Sequence, residues 1–152
     1  MPILDAKRRK IGSELVEWIY LGIRTGARQS VAEYQRLKVS EPLVALEHLK
    51  RAVNMPLRAR ARINEARRLY ELENGVNTFN TFVSSCLALA GTVTLAELNA
   101  ELTTLETYAN NLITRKNGGE SFDSIAADIE ANVRHEAKDW AFPFPVGYVD
   151  AW

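Results

Sequence analysis

The chain has 152 residues, 47% of them apolar and 25% charged, with 19 basic and 19 acidic side chains. This is the composition of an ordinary globular domain, long enough to fold on a hydrophobic core without a disulfide framework or a structural metal. The neutral total hides a division: residues 1–70 hold fifteen Lys/Arg against seven Asp/Glu, a net of +8, and residues 71–152 hold four against twelve, a net of −8.

The first residues contain no apolar signal core, so the chain reads as made in the cytosol. Ile11, Leu15, Trp18, Ile19 and Ile23 recur at helical spacing and predict a helix from near Leu4 to near Gly26. Residues 30–38 add a short helix. Ser40 is placed to cap the next one, with Pro42 in its first turn and Leu43, Leu46, Leu49 and Val53 as the buried row. Pro56 is expected to open the longest helix, which carries Ile63, Ala66, Leu69, Tyr70 and Leu72 to about Asn74, with either a stop at Gly75 or a continuation of the pattern through Val76, Phe79 and Phe82. The apolar run over residues 79–93 is too short and too polar for a membrane span. It holds Cys86, which as the single cysteine cannot form an intramolecular disulfide and reads as a small buried hydrophobe.

Thr94 and Glu97 have the spacing of a capping box. Leu95, Leu98, Leu102, Leu105, Ala109 and Leu112 follow as a seam, with Arg115 and Lys116 in the last turn and Asn117, Gly118 and Gly119 as the stop. Glu120 and Ser121 start a final helix, whose apolar face is Phe122, Ile125, Ala126, Ile129 and Val133. Strand alternation is almost absent. The predicted fold is all-α: a bundle of five to six helices over residues 1–138, then an extended aromatic and proline-rich C-terminal arm over residues 139–152.

Two surfaces stand out. Arg58, Arg60, Arg62, Arg67 and Arg68 fall on one predicted helix. Arg58 and Arg62 lie about 40° apart and Arg60 points elsewhere, so together they form a broad basic collar. Arginine suits phosphate or carboxylate because its planar fork donates two parallel bonds. The plainer account is a solvated face with local pairs such as Arg58–Glu65 and Arg67–Glu71. Glu65 is the one acid between residues 57 and 70, so the remaining counter-charge must come from further along the chain or from another molecule. Lys7, Arg8, Arg9 and Lys10 form a second basic cluster.

The other surface is the arm. Pro143 and Pro145 exclude a helix and hold Phe142 and Phe144 extended. Phe142, Phe144, Val146 and Tyr148 then project to one side, bracketed by Trp140 and Trp152. Such a segment either covers an open side of its own bundle or inserts into a groove on a neighbour. Catalytic signals are lacking. His48 and His135 are the only histidines, neither belongs to an HExxH pair, and no phosphate-cradling or nucleophile-elbow motif occurs. No enzyme, cofactor or metal site is expected.

An all-helical chain of this size, with an arginine-rich middle helix and the arm WAFPFPVGY at residues 140–148, resembles the small head-to-tail adaptor, or neck, proteins of tailed bacteriophages. The resemblance implies a structural subunit of an oligomeric ring in the virion, contacting a portal and tail components through charge-complementary surfaces and its arm. Outside a phage, the cytoplasm is the expected location. Partner-binding residues would be Arg58, Arg60, Arg62, Arg67, Arg68, Trp140, Phe142, Phe144, Tyr148 and Trp152. DNA backbone would be a further, nonspecific partner, and no membrane is involved. The alternative is a sequence-nonspecific nucleic-acid-binding regulator that uses the same arginines, with affinity falling steeply as salt rises. The acidic second half counts against it.

Overall fold

The computed structural model describes residues 4–132, and all regular structure among them is helical. α1 (Asp5–Glu17), a π-helical turn (Trp18–Gly22) and α2 (Ile23–Leu37) form one uninterrupted rod. α3 (Pro42–Asn74), α4 (Phe79–Ala90), α5 (Leu95–Asn117) and α6 (Phe122–Asn132) follow. The boundary expected after residue 138 lies outside the described residues, as do Val133 and the arm residues Trp140, Phe142, Phe144, Tyr148 and Trp152.

The helix expected to end near Gly26 instead continues to Leu37 and absorbs the separate helix expected over residues 30–38. Gly26 marks a helix crossing: Met55 of α3 comes within 3.2 Å of where its Cβ would stand. The π turn buries Trp18, Ile19 and Gly22. A π turn takes in an extra residue and so re-phases the following side chains by about 100°. α1 can therefore pack on α4 while α2 packs on α3 and α6.

Pro42 sits in the first turn of α3 as expected, but Glu41, not Ser40, occupies the N-cap, and it makes no side-chain cap. Pro56 opens no helix. It lies buried inside α3, which is 33 residues long. An interior proline costs about 3 kcal/mol in an isolated helix. Here Leu49, Ala52, Val53 and Ala59 bury the flanking turns in the core, and that packing outweighs the lost backbone bond. Leu43 was expected in the buried row but is 79% exposed, and the row begins at Ala45. Leu69 and Leu72 are also exposed, because no described helix packs on their side of α3.

α5 and α6 follow the sequence closely. Thr94 Oγ1 accepts from the Glu97 N–H at 3.1 Å, and Glu97 Oε1 accepts from the Thr94 N–H at 3.2 Å. Leu98, Leu102, Leu105, Ala109 and Leu112 are buried, and the helix stops at Gly118 and Gly119. Ser121 Oγ caps α6 by accepting from the Ser124 N–H at 3.1 Å, and Ile125, Ala126 and Ile129 are buried. Cys86 is fully buried, and burial pushes its thiol pKa up.

α1 meets α4 at Gly12. A Cβ there would stand 2.3 Å from the Cys86 carbonyl oxygen and 2.7 Å from its carbon. The obstacle is backbone, so relief means moving two helices apart. Gly12→Ala should lower stability by about 1–3 kcal/mol, read from urea unfolding followed by circular dichroism. Gly118→Ala is the contrast: its Cβ would lie 3.4 Å from the nearest backbone oxygens at φ −80°. It should stay within about 0.5 kcal/mol of wild type.

Candidate interaction surface

A groove of about 380 Å³ lies between α1, the second half of α3, α4 and the first turns of α5. Its floor is apolar, built from Ile11, Leu15 and Trp18, then Ile63 and Tyr70, then Phe79, Phe82 and Val83, and closed by Leu95 and Leu98. Arg60, Arg62 and Arg67 line it as well, with Asn64, Asn80 and Asn99. Gly75 (φ 101°) and Asn77 (φ 64°) turn the chain between α3 and α4 in left-handed geometry. Phe79 then meets Tyr70 edge-on with ring centroids 5.9 Å apart, and Phe82 stacks on the same ring at 4.8 Å. Each such pair contributes about 0.5–1.5 kcal/mol beyond its area burial. The Glu71 carboxylate accepts from the Phe79 N–H at 3.2 Å, so α3 caps the start of α4.

The five arginines have different surroundings. Arg60, Arg62 and Arg67 line the groove, whereas Arg58 and Arg68 do not. Arg60 donates from Nε and Nη2 to Glu106 Oε1 at 3.0 and 2.8 Å and reaches Asn99 Oδ1 at 3.3 Å. The Arg62 guanidinium lies 6.0 Å from the centroid of the Trp18 ring. Neither Arg58–Glu65 nor Arg67–Glu71 forms. Arg68 takes Glu65 instead, at 2.7 Å, and its hydrogen bonds hold that carboxyl below the usual carboxylate range. Arg67 is exposed and enters no ion pair among the described residues.

The basic and acidic halves of the sequence meet inside the fold. Arg24 pairs with Glu101, Arg60 with Glu106 at 2.8 Å, and Lys38 with Asp123 at 3.2 Å. The Tyr34 hydroxyl donates to Asp123 at 2.7 Å; burial first, and that bond second, push its pKa up to about 12. At the α5–α6 corner Arg115 donates to Glu120 at 3.0 Å and to Asp128 at 2.8 Å, and Tyr108 donates to Asp128. Desolvation would raise the Asp128 pKa, but hydrogen bonds from Tyr108, Arg115 and Asn132 outweigh it and leave the pKa lowered. This corner sets the direction in which α6 leaves α5.

In comparison with known proteins, no family model, no curated protein and no solved structure matches this chain. The surface is therefore read from its own chemistry. Among the described residues no three His, Cys, Asp or Glu side chains cluster so as to hold a metal ion. No single described helix is long and apolar enough to cross a membrane; α4 and α5 meet that test only as a pair bent by 102°. Sequence reasoning named the arginines and missed the floor beneath three of them. The available signal was Phe79 and Phe82, three residues apart, facing Tyr70 across the Gly75 stop.

Arg60→Ala should cost about 1–3 kcal/mol, because it strips a charge-assisted pair and leaves Glu106 without it. Arg67→Ala should shift stability by no more than about 0.5 kcal/mol. Paired urea titrations check both. Because the Asp128 pKa is depressed on folding, the stability it contributes is complete above the unfolded value near pH ~4. It is lost as pH falls through the folded value. Asp128→Asn should therefore flatten the acid limb of a plot of urea midpoint against pH.

Proposed function

We propose that this chain is a structural subunit that assembles with copies of itself and with larger partners, in a ring such as a bacteriophage head-to-tail adaptor. The observation that carries the reading is the uncovered end of α3 and the turn after it. Leu69, Leu72 and Val76 are 51%, 72% and 82% exposed, next in sequence to residues that line an apolar groove. Apolar patches of this kind mark sites of contact with other proteins. Contact between unlike surfaces closes into a ring when the rotation permits.

Arg67, on the groove side of the same helix, gives a cation for a carboxylate on the next subunit, which favours one docking register over others. The arm contributes Trp140, Phe142, Phe144, Tyr148 and Trp152, aromatic anchors of the kind enriched at interfaces. The nucleic-acid reading draws less support. Arg60 and Arg68 are already bonded to carboxylates and Arg62 lies over Trp18, so fewer guanidinium donors remain for phosphate.

Size-exclusion chromatography with light scattering tests the reading. The wild-type chain should elute with the mass of several subunits. Leu72→Glu combined with Val76→Glu, both at exposed positions, should return the mass of one subunit with an unchanged circular dichroism spectrum. A wild-type chain that stays monomeric at every concentration overturns self-assembly.

A further inference from the structure

The groove is open in the described structure, and twenty residues of chain follow α6. We propose that the aromatic segment within residues 139–152 seats in the groove of its own chain, so that the isolated subunit holds its arm against itself. This does not rest on the assembly reading and holds for a chain that never forms a ring.

The path of α6 is the first argument. Asp123 at its start accepts from Tyr34 and Lys38 at the end of α2, and the Glu130 carbonyl at its end accepts from Arg28, nearer the start of α2. α6 thus runs opposite to α2, towards the π turn, and Trp18 in that turn lines the groove. Helix from Arg28 back to Trp18 is about 15 Å long. Residues 133–139 span up to about 23 Å when extended. The reach is sufficient. A short tether also holds a segment at an effective concentration on the order of millimolar, which favours the chain's own groove over a neighbour's.

Chemistry is the second argument. The floor is aromatic and aliphatic, and 380 Å³ falls within the roughly 300–1,000 Å³ of cavities that bury a ligand. Pro143 and Pro145 favour an extended backbone, in which Phe142, Phe144 and Tyr148 would fall on one side, and they reduce the entropy lost on docking. Charge is the third. Residues 139–152 contain Asp139 and Asp150 and no Lys or Arg, while Arg67, exposed and in no ion pair among the described residues, lines the groove.

The test uses the full chain, labelled with nitrogen-15 and carrying a nitroxide on Asn80→Cys at the groove; Cys86 is buried, and mass spectrometry confirms a single label. The indole signals of Trp140 and Trp152 should lose most of their intensity and regain it when the nitroxide is reduced. Trp18 lies in the floor and broadens in any folded chain, so it serves as the internal control. Ile63→Asp should restore the Trp140 and Trp152 signals while the Trp18 loss persists; if that variant unfolds, the parent chain still decides. Sharp arm indoles beside a broadened Trp18 overturn the proposal. So does equal broadening in a mixture where the nitroxide sits only on a second chain without nitrogen-15, which would place the arm in a neighbour; seating in the chain's own groove leaves the arm signals of that mixture sharp. Particle mass is measured separately, so loss of self-assembly and loss of this seating are distinguishable.

Discussion

The groove exists because α1 and α4 touch through backbone. Without a side chain at Gly12, the first rod settles directly on the Cys86–Leu87 peptide, and α4 is committed to that rod. α3 is then left to meet α4 chiefly at the Gly75 corner, where Tyr70 takes up Phe79 and Phe82. The space between these two contacts is the groove. Gly12 is thus where α1 and α4 close on each other, and the groove is where the neighbouring helices stay apart.

The π turn makes this arrangement possible. A regular helix of the same length would carry one stripe, and both halves of the rod would face the same neighbour. Re-phasing at Trp18–Gly22 lets α1 serve α4 and α2 serve α3 and α6. Trp18 sits at the change of phase, which places it both in a core cluster with Ile19, Ile23 and Leu102 and in the groove floor.

Charge segregation is used first within the fold. α5 brings Glu101 to Arg24 and Glu106 to Arg60, and α6 brings Asp123 to Lys38. The two partly buried pairs, Arg24–Glu101 and Arg60–Glu106, come close to breaking even against their desolvation. Together with Lys38–Asp123, their effect is to fix the register of α5 and α6 on the earlier helices. Arg67 stands outside that scheme, on the edge of α3 that lines the groove. A segment of opposite charge and aromatic character further along the same chain complements that edge. A neighbour's groove would accept the same segment, and exchange between identical subunits is a low-cost route to a larger assembly.

By itself the sequence determined the all-helical class, the capped and seamed α5, its stop at Gly118 and Gly119, the start of α6 and the burial of Cys86. Each is written within a few residues: a hydroxyl three positions before a carboxylate, leucines at alternating three and four, a glycine where φ must be positive. Tertiary structure alone decided that Pro56 lies inside a helix, that Gly26 is a crossing, that Leu43, Leu69 and Leu72 face solvent, and that Arg60 finds Glu106. These depend on which helix lies across from which. A helical period names a face without naming its neighbour, and a charged side chain does not say how far along the chain its partner waits.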